Sequence, residues 1–135
     1  MKLEHIGIAV RNLEESNILF SKLFNTSPYK QESVDSEHVI TSFFLTGTSK
    51  IELLEATSPD SAIAKYVERK GEGIHHIAFE VENIFEEMNR LRSEGFQLLH
   101  DVPKKGADNK LVCFLHPKST NSVLIELCME IKNDE

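Results

Sequence analysis

The chain is short of basic charge, of cysteine and of long apolar runs, and each shortage removes a class of function. Its 15 Lys and Arg residues stand against 22 Asp and Glu, for a net charge of −7. A nucleic-acid surface needs clustered Lys and Arg to meet the phosphates, so that role is excluded. One anionic ligand in a locally basic pocket is not. The two cysteines, Cys113 and Cys128, lie in apolar strand-like runs without CxxC spacing. They read as buried thiols in a reducing compartment, not as a disulfide or a metal pair. No apolar run approaches the ~20 residues of a membrane span. The segment from Met1 to His5 enters a strand without an apolar signal region, so a cytoplasmic protein is expected.

What is present is a globular composition, with 135 residues of which 40% are hydrophobic and 27% charged. That is enough for one domain with a real core. Within it lies a repeat. The run HIGIAVRNLEE from His5 is echoed by HIAFEVENIFE from His76. Each opens on a histidine, alternates as a strand does, passes through Asn12 or Asn83, and enters a helical pattern. IELL from Ile51 is echoed by IELC from Ile125 at nearly the same offset. A near-constant offset across His and Glu together means an internal duplication, and the repeated residues are metal-ligand types.

Residues 3–10 predict a strand, and Asn12 caps a helix over 13–24 with Glu14 and Glu15 in its first turn. Leu13, Asn17, Phe20 and Phe24 trace one helix face, with Ile18, Leu19 and Leu23 adding to its apolar content. A polar stretch over 30–37 leads to strands at 39–45 and 50–55 and a short helix over 62–69. Gly71 and Gly73 mark the joint between the halves. The second half repeats the order: a strand over 74–81, a helix from Asn83 through Arg92, and a short strand over 96–100. A lysine-bearing loop over 103–110 precedes strands at 111–115 and 123–129. The charged tail to Glu135 is expected to fray. The pattern predicts an α+β fold in one domain, 1–135. Paired βαβββ modules (about 1–70 and 74–130) form a curved mixed sheet around a metal-containing cleft, with helices outside.

Strand alternation puts His5 on one face with Gly7 and Ala9, and His76 with Ala78 and Glu80. Glu52 and Glu126 interrupt apolar strands, which is costly unless the carboxylate is paired, hydrogen-bonded or bound to a cation. One such histidine alone reads as a satisfied core or surface residue. Two histidines and two glutamates in repeat register read as a ligand set for a borderline or hard divalent ion, with water or substrate completing the shell. His75 points to the opposite face and reads as structural. His38, His100 and His116 have no repeat partner, and the first two are expected to be exposed.

These segments, together with SPDS from Ser58, GEGIHHIAF from Gly71, FLHPKS from Phe114 and VLIEL from Val123, resemble the vicinal-oxygen-chelate superfamily, the glyoxalase and bleomycin-resistance group. Within it they look like the methylmalonyl-CoA epimerases, over nearly the whole chain. The resemblance implies metal ligands at His5, Glu52, His76 and Glu126. It implies a divalent ion such as Co²⁺, Mn²⁺ or Mg²⁺, with Zn²⁺ or Ni²⁺ as alternatives. The implied reaction interconverts (R)- and (S)-methylmalonyl-CoA by 1,1-proton transfer through a metal-stabilised enolate. Glu126 and Glu52, on equivalent strands of the two halves, are the candidate acid and base. Lys118, Ser119 and Lys110, with Lys104 and Lys105, are candidates to hold the CoA portion. An acyl-CoA partner and a homodimer are expected, with neither nucleic acid nor membrane. The rival readings are a glyoxalase-type isomerase or lyase, and a non-enzymatic antibiotic binder, which generally lacks the ligand set. One stretch departs from the pattern. Some members carry an acidic residue in the strand before Glu52, whereas residues 38–41 here have none. Glu37 could take that place only in a shifted register.

Overall fold

Strand and helix alternate because the apolar period alternates, and the duplicated asparagines punctuate the change. The computed structural model of the chain describes residues 1–132. Its elements run β1 (Lys2–Ala9), α1 (Leu13–Phe24), β2 (Lys30–Val34), β3 (Val39–Thr46), β4 (Ser49–Ala56) and α2 (Ala62–Lys70), then β5 (Gly73–Glu80), α3 (Ile84–Ser93), β6 (Lys104–Lys105), β7 (Lys110–Leu115) and β8 (Ile125–Glu130). By contacts the chain forms two units, His5–His75 on the one hand and Met1–Glu4 with the chain from His76 onward on the other.

In the first unit the strand order is β2-β3-β4-β1, and in the second it is β6-β7-β8-β5. The outer neighbours pair antiparallel, while the opening strand of each unit lies parallel to its last. The two units therefore share one βαβββ topology, and the chain is α+β as its pattern predicts. No helix among the described residues is long and apolar enough to cross a membrane.

The helix starts follow the sequence closely. Asn12 accepts a hydrogen bond from the Glu15 amide, and Asn83 accepts from the amides of Phe85 and Glu86. These bonds satisfy donors that the first helical turn would otherwise leave unpaired. Ser61 does the same for α2 through the Ile63 amide. Asn25 closes α1 in the left-handed conformation (φ 54°), which Asn tolerates better than most residues. Under α1, Val10, Leu13, Phe44 and Leu53 form a core. Under α3 the corresponding core is Val81, Ile84, Met88, Leu91, Cys113, Leu115 and Leu127. Both cysteines are buried and free.

Three expectations need correcting. Residues 30–34, read as a polar connection, form edge strand β2. An edge strand buries little, so its charged residues carry no burial signal, and charge on an edge guards against further pairing. The strand expected over 96–100 reduces to one bridge, Leu98 to Leu115. The edge position is taken by Lys104–Lys105, inside the expected loop. Ile18, Leu19 and Leu23 lie on the exposed side of α1 (55%, 63% and 68% accessible), so the buried stripe is narrower than α1's apolar content implies. The expected frayed tail lies partly outside the described residues.

Candidate metal centre

In the first unit the site is laid out by two strand registers. The parallel pairing of β1 with β4 sets Gly7 beside Glu52, and the antiparallel pairing of β4 with β3 sets Phe43 on the other side of Glu52. His5 lies two residues before Gly7 and therefore projects from the same face. Its Nε2 is 3.3 Å from Glu52 Oε1. Both side chains are buried, at 6% and 4% accessibility.

The second unit repeats this arrangement residue for residue. Ala78 of β5 stands beside Glu126 of β8, and Phe114 of β7 flanks the glutamate on its other side. His76 Nε2 is 3.6 Å from Glu126 Oε1, and both residues are buried. The ring of His76 meets Phe114 edge-on at 5.8 Å between centroids. Each unit thus presents a buried imidazole nitrogen and a buried carboxylate oxygen side by side. Each glutamate has a small residue on one flank and a phenylalanine on the other. His5, Glu52 and His76 each offer a ligand atom of the kind a divalent ion takes.

Neighbouring carboxylates do other work. Glu55, three residues beyond Glu52 and on the other face of β4, accepts a 2.6 Å hydrogen bond from the Leu13 amide at the start of α1. That fixes the helix on its strand and suits the positive end of the helix dipole. Burial pushes the Cys128 thiol far above its ordinary value, and the Glu126 carboxylate adds to the shift. Burial also raises Cys113. Thiols held in that state are poor nucleophiles and poor ligands, in keeping with their reading as core residues.

The remaining candidates are spread more widely. His75 packs edge-on against Tyr66 at 5.1 Å, a structural place. His38 is exposed at a left-handed turn (φ 53°). His100, expected to be exposed, is half-buried against Phe114 at 6.2 Å. His116 caps the short turn Pro117–Ser119 through its Nδ1. Lys118 is exposed in that turn, while the Ser119 hydroxyl accepts from the Gln97 amide. Lys110 is not in a loop. It opens β7, is buried, and lies 3.4 Å from the exposed carboxylate of Glu130. Glu37 sits in a single 3-10 turn, Asp35–Glu37, ahead of β3. In β3, Thr41 pairs with Leu54 and Phe43 with Glu52. Glu37 therefore does not take the strand position. The residue types alone did not single out Phe43, Phe114 or Thr41; aligning the two repeats strand by strand would have placed all three.

Comparison with known proteins agrees with this layout. Residues 4–114 match the family model described as the Glyoxalase/Bleomycin resistance protein/Dioxygenase superfamily. The chain is 40% identical over 129 residues to the mitochondrial methylmalonyl-CoA epimerase of Dictyostelium discoideum, covering 93% of this chain and 76% of that protein. It is 37% identical over 134 residues to an uncharacterized Bacillus subtilis protein, YqjC, covering 99% and 95% respectively. A variant of the Streptomyces coelicolor methylmalonyl-CoA epimerase, solved in complex with 2-nitronate-propionyl-CoA, superposes with a TM-score of 0.92 at 30% identity. That superposition covers 98% of this chain and 99% of that one.

Proposed function

The chain belongs to the Glyoxalase/Bleomycin resistance protein/Dioxygenase superfamily, and from that membership we propose that it is a metal-dependent epimerase of methylmalonyl-CoA. The observation that carries this reading is the pair of buried His–Glu couples, one in each unit, in equivalent strand settings. Burying a carboxylate in an apolar strand is unfavourable without a compensating cation or hydrogen bonds. Imidazole nitrogen with carboxylate oxygen suits Co²⁺, Mn²⁺ or Mg²⁺, with Zn²⁺ and Ni²⁺ as alternatives. His5, Glu52, His76 and Glu126 would hold the ion. When bound, it supplies Lewis-acid stabilisation for negative charge that develops on the thioester oxygen.

The side chains of the protein move the proton. Glu126 would accept it from the α-carbon on one face once the substrate displaces that carboxylate from the ion, and Glu52, likewise released and protonated, would return one to the other face. One C–H bond breaks and one forms, with no change in oxidation state, and the reverse sequence converts the other epimer. Lys118, exposed in the turn before β8, meets the anionic CoA portion, with Ser119 and Lys110 as its further contacts. We place the enzyme in the cytoplasm as a homodimer, the commonest closed assembly.

The test is exchange of the substrate α-proton with solvent deuterium, followed by mass spectrometry on racemic methylmalonyl-CoA. The wild-type protein loaded with Co²⁺ is expected to exchange it, and Glu126→Gln to lower the rate by about 10²- to 10⁴-fold. Undiminished exchange with the ion still bound would remove Glu126 as a base. Failure of the wild type to exchange, with turnover of a glutathione hemithioacetal instead, would replace the epimerase reading by the glyoxalase one. Purified protein that takes up no divalent ion would favour the binder.

A further inference from the structure

Thr41 is fully buried, and its Oγ1 finds no hydrogen-bond partner among the described residues. A hydroxyl in that position lowers stability unless something accepts from it. Its place in the fold says what that something is. Thr41 lies on β3 two residues before Phe43, so it projects from the same face as the residue that flanks Glu52. Across the pairing it stands opposite Leu54 of β4 and opposite Glu32 of β2, two residue pairs along the ladder from Glu52. The second unit shows that packing does not require the hydroxyl. Phe114 opposite Glu126 corresponds to Phe43 opposite Glu52, and two residues earlier on β7 the counterpart of Thr41 is Val112, opposite Cys128. Valine has the shape of threonine with a methyl in place of the hydroxyl, and Val112 is buried in an apolar cluster with Ala78 and Cys128. The other unpaired buried atom, Asn17 Oδ1, belongs to a side chain whose amide already donates to Gln31. Thr41 has no such second role.

We propose that Thr41 is a substrate-contacting residue, and that its hydroxyl donates a hydrogen bond to an oxygen of the bound acyl group. This rests on the epimerase reading above and gives the two half-sites different tasks. A threonine hydroxyl is far too weak an acid to exchange protons at neutral pH, so it orients the acyl group and stabilises charge on its oxygen while the carboxylates carry the proton.

Thr41→Val, Thr41→Ser and the wild type separate the possibilities, read by deuterium exchange on methylmalonyl-CoA and by thermal unfolding without substrate. Thr41→Val is expected to melt higher than the wild type, because the unpaired hydroxyl is gone, and to lose about 10- to 100-fold in kcat/KM. Thr41→Ser, which keeps the hydroxyl and sheds a methyl, is expected to melt lower and to recover most of that loss. Thr41→Val with undiminished kcat/KM, or with a lower melting temperature, overturns the inference, as does an equal loss in both variants. A wild type that exchanges no α-proton overturns the epimerase reading first and this one with it, so the two failures are told apart.

Discussion

The two units share a scaffold and differ in what surrounds the ligand pair. In each, a glutamate sits between a small residue and a phenylalanine, with a histidine two residues back along the opening strand. Away from that quartet they part. The first unit carries a second helix, α2, whose Ile63 packs with Ala9, Val39 and Leu54. On the corresponding sheet face of the second unit lie Ala78, Val112 and Cys128, with Phe114 against them. The first unit holds neither cysteine, and the second holds both, in its core. What the comparison teaches is that the histidines and glutamates repeat together with the apolar residues that seat their strands, Val10 and Val81 or Leu53 and Leu127, while the packing on the face around them differs.

The largest expected effect tests whether the two half-sites are equal partners. His5→Ala and His76→Ala are each expected to lower divalent-ion affinity by more than the about 10- to 100-fold that loss of an outer-shell partner costs. Competition against a chromophoric chelator measures it. If one variant binds as tightly as the wild type, the symmetry between the units is broken at the metal.

Phe43 and Phe114 come next. Phe43 is 1% exposed and Phe114 only half-buried. Phe43→Ala is therefore expected to cost about 3–5 kcal/mol in urea unfolding, the usual range for a buried aromatic, and Phe114→Ala less. Equal losses would mean that the two flanking rings are equally enclosed.

Smaller still is the difference between the helix caps. Asn83 serves two amides and Asn12 one. Replacement by Ala is expected to cost about 1 kcal/mol, with Asn83→Ala the more destabilising of the two. The smallest effect is in pH. Both thiols titrate above their ordinary value in the folded chain because they are buried. A raised folded value gives stability that is complete below the unfolded thiol value, about 8.5, and is lost as the pH climbs above it. Unfolding midpoints are expected to fall between pH 8 and 10, and less steeply in Cys113→Ala. Since both thiols lie in the second unit, hydrogen exchange should show the weakening there first.

Much of this was legible before any coordinates. The strand–asparagine–helix signal is local: alternation, a cap and a helical stripe each need only neighbouring residues, and β1, α1 and α3 follow it almost to the residue. Edge strands were harder. β2 is polar and β6 is two lysines, because an edge buries little and its sequence is free of the apolar period that marks central strands. Side-chain fate was harder still. Ile18, Leu19 and Leu23 look like core, and Lys110 looks like surface, yet the first three are exposed and the lysine is buried.

The sequence by itself determined the duplication and the βαβββ order, and singled out four candidate ligands, because repeat spacing and period are properties of the chain alone. Tertiary structure decided which residues flank those donors. Phe43, Phe114 and Thr41 lie far along the chain from the histidines, and only strand register brings them beside Glu52 and Glu126. The structure also sets Glu37 in a turn before β3 and leaves an unpaired hydroxyl, Thr41 Oγ1, on the strand itself. Hydrogen bonding between distant strands fixes such neighbours, and no local pattern encodes it.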